Sequence, residues 1–276
     1  MSGIRVIAVI PARWGSTRFP GKPLSLLRGH PMIEYVYRRA SRSVLVDYVC
    51  IATDDERIAD AVRGFGGNVQ MTRDDHASGT DRVAEVAAGE DADLVVNIQG
   101  DEPLIHPDDI DAGIRPLIDE SGLEMSTLAV AFVSPEEFLD PNAVKVARGE
   151  NGNALYFSRA PIPYSRDVLS GEDKAYEEIL ENWEKMSPKP LKHLGFYAFR
   201  KESLLRFAGL EPSPLEELER LEQLRALEDG LAIRVVEINR DTVGVDRPED
   251  RERLLGDEAM RSALEEEKGR WPSISS

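Results

Sequence analysis

The chain has 276 residues, 41% hydrophobic and 31% charged, with a formal net charge of −17. That length and balance suit a core-forming globular protein of one large α/β domain or two small ones. No 18-residue apolar run exists, which excludes membrane insertion by a helix; the acidity disfavours nucleic acid as a partner, and the lone Cys50 excludes an internal disulfide.

In chain order, "RVIAVI" reads as a first strand rather than a signal peptide, since no cationic segment precedes it, and a cytoplasmic protein is expected. "PMIEYVYRRASR" has helical spacing with proline at its start. "DYVCIAT" is a second strand that would bury Cys50, and "DDERIADAVRGFGG" a helix with an aspartate cap and a glycine stop. "NVQM", "GTDRVAEVAAG", "ADLVVNIQ" and "HPDDIDAGIRPLIDE" continue the alternation of strand and helix. Strands apolar on both faces predict a Rossmann-like, mostly parallel mixed sheet flanked by helices, with ligands beyond the strands' carboxyl ends.

From about 126 to 200 the pattern shifts to shorter strands, "STLAVAF", "AVKVA", "ALYFS" and "HLGFYAF", around a charged segment at 170–190. This predicts an inserted antiparallel subregion whose edges and apolar faces suit a homodimer. "SPLEELERLEQLRALEDG" then reads as one helix, "AIRVVEI" as a strand, "TVGVD" as a short strand and "RPEDRERLLGDEAMRSALEEE" as a closing helix. Without a repeat or low-complexity linker, 1–276 is expected to be a single domain, with a frayed tail at 270–276.

The chemistry starts at "IPARWGSTRFPGKPL", where an aliphatic strand runs into glycines and cations. A strand-to-helix loop rich in backbone N–H groups cradles phosphates, and Arg13, Arg18 and Lys22 add charge for a polyphosphate. It is not a P-loop: Gly15 and Gly21 are one residue too far apart, and Pro23 replaces the metal-binding hydroxyl. A triphosphate needs Mg²⁺ beside it. Asp101, in "NIQGDEP", and Asp246, in "TVGVDRPED", follow separate strands and could converge on one such ion. The four histidines lack metal-site spacing.

These blocks, with "ATDDERIADAV", "MTRDDHASGTDRVAEV", "VVNIQGDEPLI", "ALYFSRAPIPY", "HLGFYAFR", "SPLEELERLEQLRALEDG" and "GVDRPEDRERL", resemble the sugar nucleotidylyltransferases that activate acidic sugars with CTP. The likeness runs from residue 4 to about 254 and fits best the branch acting on 3-deoxy-manno-octulosonate (Kdo). Departures are Trp14, Phe19, the acidic 170–190 segment and a longer C-terminal tail. The resemblance implies a GT-A-like nucleotidyltransferase fold and a reaction of CTP with Kdo that gives CMP-Kdo and diphosphate for lipopolysaccharide synthesis.

It also implies roles for residues. Arg13, Ser16, Arg18 and Lys22 would hold the triphosphate, and Arg73, Ser78, Gly79 and Gln99 would read the cytosine. Asp101 and Asp246 would hold Mg²⁺, and Arg13, Lys22, Asp101 and Asp246 form the catalytic set. Arg159 would pair with the sugar carboxylate through its guanidinium fork, while His193, Tyr197, Glu222 and Gln223 would line the sugar pocket. Plainer roles compete: Ser78 as a helix cap, Tyr197 as core, Glu222 as one more exposed helix charge. Another acid sugar, such as sialic acid or 8-amino-Kdo, and a non-catalytic nucleotide binder are the competing functions. No general base is evident in the sequence.

Overall fold

The computed structural model describes residues 3–15, 18–166 and 175–271. In chain order come β1 (Val6–Ala12), a 3-10 turn (Lys22–Leu24), β2 (Leu26–Leu27), β3 (His30–Pro31), α1 (Met32–Ala40), β4 (Tyr48–Thr53) and α2 (Glu56–Gly64). β5 (Val69–Met71), α3 (Gly79–Gly89), β6 (Leu94–Ile98) and α4 (Pro107–Asp119) complete the first half. The second holds β7 (Met125–Ala131), α5 (Pro135–Leu139), β8 (Lys145–Arg148), β9 (Ala154–Ser158), α6 (Ala175–Asn182) and β10 (Leu191–Arg200). It closes with α7 (Lys201–Ala208), α8 (Pro214–Glu219), α9 (Gln223–Glu228), β11 (Ile233–Ile238), α10 (Pro248–Gly256) and α11 (Glu258–Lys268).

One sheet orders its strands β11-β7-β10-β6-β1-β4-β5, with β8 and β9 attached beside β10. β4, β1 and β6 pair in parallel, as do β4 with β5 and β7 with β11, whereas β10 runs against both β6 and β7. The expected mostly parallel mixed sheet is therefore present. Alternation along β1 explains its two covered faces: Val6, Ala8 and Ile10 enter one core with α1, α2 and α4, while Ile7 and Val9 enter the other with α3 and α7. The chain moves from β1 outward to β4 and β5, then crosses back to β6 on β1's other side. That reversal opens a crevice at the carboxyl ends of β1 and β6, where such sheets take ligands.

The antiparallel region is narrower than 126–200. β7 and β8 run with the parallel set, the reversed strands are β9 and β10, and the antiparallel pairings join β8 to β9 and β10 and join β10 to β6 and β7. Of the acidic segment, residues 167–174 lie outside the described ones, while Ile179, Trp183 and Met186 dock against Phe132 and Phe138.

Three expected elements differ. The helix at 213–230 breaks into α8 and α9 at Arg220, whose φ of 56° is left-handed. "TVGVD" is no strand, but its Val245 N–H donates to the Asp101 carbonyl at 2.9 Å, pinning one carboxylate loop to the other. The closing helix is interrupted at Asp257, whose side chain accepts from Met260 N–H to cap α11. Trp271 packs on His30 and Tyr35, at ring separations of 4.6 and 4.9 Å, so the chain stays docked to there; the rest of the expected tail, 272–276, lies outside the described residues. Cys50 is buried as expected, and burial pushes its thiol up to about 11.

Candidate active site

The opening loop is braced from within. Gly21, at φ 69°, donates its N–H to the Trp14 carbonyl at 3.1 Å, and a Cβ there would stand 2.9 Å from the indole. The Arg57 guanidinium stacks over that indole at 3.4 Å while pairing with Asp55, the cap of α2. A turn held this way aims the next residue, Lys22, into the crevice. Its Nζ donates to Asp101 Oδ2 at 2.5 Å and to Asp246 Oδ1 at 3.0 Å, and Arg18 lies 3.6 Å from the other Asp246 oxygen. Burial works against the Lys22 charge, but Asp101 and then Asp246 outweigh it, and the ammonium pKa stands above its ordinary value.

The cleft around this lysine takes in Arg13, Arg18, Lys22, Asp101 and Asp246 from the expected phosphate and metal set. Ser78, Gly79 and Gln99, expected to face the base, line it too. Ser78 is also a helix cap, since its hydroxyl accepts from Asp81 N–H while Asp81 accepts from Ser78 N–H. Ser16 lies outside the described residues.

Arg73 stays exposed, 3.6 Å from both Asp75 and Glu85, in a neighbouring hollow that shares His76 with the cleft. Besides Arg13 and Arg18, a third guanidinium lining the cleft belongs to Arg82 on α3. It is buried, donating to Asp54 at 3.0 Å, to the Arg73 carbonyl at 3.2 Å and to Thr72. His76, paired with Glu85, lines the cleft beside it. The sequence shows Arg82 only as a polar residue of an amphipathic helix; its partners lie on distant strand ends.

A second, wider cavity adjoins the first, sharing Arg18 and Asp246 and reaching Glu102, Lys192 and His193. Burial and then Asp101 push the Glu102 carboxyl up to about 8. Lys192 is held between Glu137 and Asp241. His193 is 3.0 Å from the Thr127 hydroxyl, packs edge-on to Phe157, and burial drives its pKa down to about 3, so the ring is neutral.

On the sheet face shared with α3 and α9, the polar side chains of Asn97, Tyr197 and Thr127 interrupt the apolar pattern. Tyr197 pairs in register with Asn97 on one side and Thr127 on the other. Over this row, Glu222 and Gln223 start α9, the Glu222 carboxylate accepting from the Thr80 hydroxyl at 2.5 Å. Glu222 is thus no exposed helix charge: burial raises its pKa, and Thr80 pulls the other way. Tyr197 is core, buried against His193 at a ring separation of 5.4 Å.

Arg159 lines neither cavity. Its Nε donates to the Glu219 carbonyl at 2.7 Å, and its terminal nitrogens donate to the carbonyls of Pro141 and Arg220 at 3.0 and 3.4 Å. A guanidinium carries five N–H donors, so Arg159 anchors the α8–α9 turn while retaining further donors.

Two carboxylates meeting at one point suit a hard cation that takes its remaining ligands from water and substrate phosphates, the usual habit of Mg²⁺. No cluster of three or more acidic, His or Cys ligands exists among the described residues.

A sheet reversal holding a cationic loop opposite paired aspartates defines a nucleotidyltransferase. The family model described as cytidylyltransferase matches residues 7–236. The 3-deoxy-manno-octulosonate cytidylyltransferase of Syntrophotalea carbinolica is 54% identical over 248 residues, 89% of this chain and 95% of the relative. That of Geobacter sulfurreducens is 49% identical over 255 residues, 91% of this chain and 98% of the relative. The chain belongs to the 3-deoxy-manno-octulosonate cytidylyltransferase family. A solved CMP:2-keto-3-deoxy-manno-octonic acid synthetase complexed with CTP superposes with a TM-score of 0.82 at 42% identity, covering 95% of this chain and 99% of that one. The inositol-1-phosphate CTP transferase of T. maritima, 11% identical with a TM-score of 0.62, shares the fold alone.

Proposed function

We propose that the chain transfers CMP from CTP to Kdo, releasing diphosphate, and so activates Kdo for lipopolysaccharide synthesis. One observation supports the assignment of roles: Lys22, Asp101 and Asp246 meet within hydrogen-bond distance in the crevice, beside the cationic loop. Arg13, Ser16, Arg18 and Lys22 hold the triphosphate, with Ser78, Gly79 and Gln99 against the base. Arg73 is assigned to that side as well, and Arg82, which lines the cleft, joins it. The row of Tyr197, His193, Glu222 and Gln223 receives the sugar hydroxyls, and the remaining donors of Arg159 are assigned to its carboxylate.

The C2 hydroxyl of the sugar attacks the α-phosphorus in line and gives up its proton to solvent; the new O–P bond forms, the bond to the β-phosphate oxygen breaks, and diphosphate leaves with its charge met by Lys22 and Arg18. Asp101 and Asp246 would hold Mg²⁺, which when bound supplies charge neutralisation at the reacting phosphate. His193 stays neutral and orients rather than transferring a proton. The Lys22 ammonium also bridges the two carboxylates, its charge offsetting their mutual repulsion.

The protein is read as cytoplasmic and homodimeric. Among the described residues no helix is long and apolar enough to cross a membrane. Leu155 on β9 and Leu218 on α8 stand exposed on neighbouring elements joined through Glu219 and Ser158, a face suited to a second copy; a monomer mass in light scattering would contradict this. The assignment is tested by diphosphate release from CTP with Kdo, 8-amino-Kdo or sialic acid: Kdo should be turned over fastest, and equal turnover of sialic acid would overturn the choice of sugar.

A further inference from the structure

Thr80 has no part in the reaction as described, yet it is 1% exposed and its hydroxyl is fully committed. It donates to Glu222 Oε1 at 2.5 Å and accepts from Asn97 Nδ2 at 3.2 Å. A hydroxyl has one proton to give, so the chain of bonds has a direction, from amide to hydroxyl to carboxylate. This fixes the amide of Asn97: with Nδ2 turned to Thr80, its Oδ1 faces away, buried and without a protein partner. Gln223, next to Glu222 and 3% exposed, has the complementary lack, a buried Nε2 with no acceptor. Buried polar atoms cost free energy when left unpaired. An orphan acceptor and an orphan donor flanking one hydrogen-bonded carboxylate match a ligand whose hydroxyls both donate and accept.

Thr80 also lies two residues beyond Ser78, the cap of α3 that lines the nucleotide cleft. The same first turn thus touches the nucleotide side through Ser78 and Gly79 and the sugar side through Thr80.

We infer that Thr80 is a positioning residue for the acid sugar, holding the Asn97 amide and the Glu222 carboxylate in the orientation that receives sugar hydroxyls and tying that pocket to the helix end beside the nucleotide. The inference rests on the placement of the sugar over Tyr197, Glu222 and Gln223 proposed above. Thr80→Val keeps the side-chain shape and removes the hydroxyl; Thr80→Ser keeps the hydroxyl.

The experiment measures kcat and both KM values of wild type, Thr80→Val, Thr80→Ser and Gln223→Met in the full-length enzyme with CTP, Mg²⁺ and Kdo. Thr80→Val should raise the KM for Kdo about ten-fold or more, while the KM for CTP stays within about two-fold. Thr80→Ser should bring the Kdo KM back to within about three-fold of wild type. A Thr80→Val enzyme with unchanged Kdo KM, a joint rise of both KM values, or a failure of serine to restore the wild-type value would each overturn the role of Thr80. Gln223→Met separates that failure from an error in the pocket. If it raises the Kdo KM while Thr80→Val does not, the sugar lies as proposed and Thr80 does not position it. If neither variant moves the Kdo KM, the sugar lies elsewhere and both readings fall.

Discussion

Asparagine at Asp101 and at Asp246 should have different effects on stability and the same effect on catalysis. Asp101 lies 2.5 Å from Lys22 Nζ with its side chain 24% exposed, whereas Asp246 lies 3.0 Å away and is 54% exposed. A charge-assisted hydrogen bond in a mostly buried setting contributes about 1.5–3 kcal/mol; an exposed pair contributes about 0–1 kcal/mol. Asparagine retains an acceptor, so Asp101→Asn should lose only part of that, about 1 kcal/mol, a fall in Tm of about 2–4 °C for a chain of this size. Asp246→Asn should melt like the wild type. Turnover should fall by two orders of magnitude or more in both, because each removes half of the carboxylate set offered to the cation. Differential scanning fluorimetry supplies Tm, and diphosphate release across a Mg²⁺ titration supplies kcat and metal dependence. An Asp246→Asn enzyme with near-normal turnover at limiting Mg²⁺ would refute the two-carboxylate site; a drop in Tm for Asp246→Asn equal to that for Asp101→Asn would refute the reasoning from burial.

Gly21→Ala must force a Cβ to 2.9 Å from the Trp14 indole at φ 69°. The left-handed strain of about 1–2 kcal/mol and the displaced brace should lower Tm and raise the KM for CTP, and Trp14→Leu in the same chain should relieve the steric part; an unaltered KM for Gly21→Ala would show that the brace does not set the loop. The His193 pKa is pushed down to about 3 by burial, against about 6.5 in an unfolded chain. Below about pH 6.5 the unfolded chain takes up a proton that the folded one refuses, so this group's stability is present above that pH and drains as pH falls, by at most about 1.4 kcal/mol per unit. Tm measured from pH 7 to 5 should fall less steeply in His193→Gln, and an identical slope would refute the burial. Arg159→Lys keeps a charge but loses the fork, so Tm should drop through the lost carbonyl bonds and the KM for Kdo should rise about ten-fold; a lower Tm with unchanged Kdo KM would leave Arg159 as an anchor only.

Much of this site was legible because its chemistry is local. The aliphatic strand ahead of Arg13, the glycine at 21 and the carboxylate just past "VVNIQ" each declare themselves within a few residues, and the sheet brings their ends together. What escaped was long-range. Arg82 draws no notice beside Arg73 in the sequence, because what buries it, its bonds to Asp54 on the β4 side and to Thr72, is set by the fold. Nothing local singles out Thr80, because its partner Glu222 is 142 residues away. The α8–α9 break escaped because leucine spacing continues through it, while a left-handed Arg220 ends the hydrogen-bond ladder and leaves its carbonyl for Arg159. "TVGVD" has strand-like alternation, yet it is pinned by the Val245–Asp101 bond rather than by a ladder.

The most direct test of the whole account is product formation by the purified chain from equal concentrations of CTP, UTP, ATP and GTP, with Kdo and Mg²⁺ present. The account predicts CMP-Kdo and stoichiometric diphosphate with CTP, at a rate far above those with the other three nucleotides, and none of either product once chelator removes Mg²⁺. Comparable diphosphate release with ATP or GTP, or undiminished CMP-Kdo formation in chelator, would contradict it.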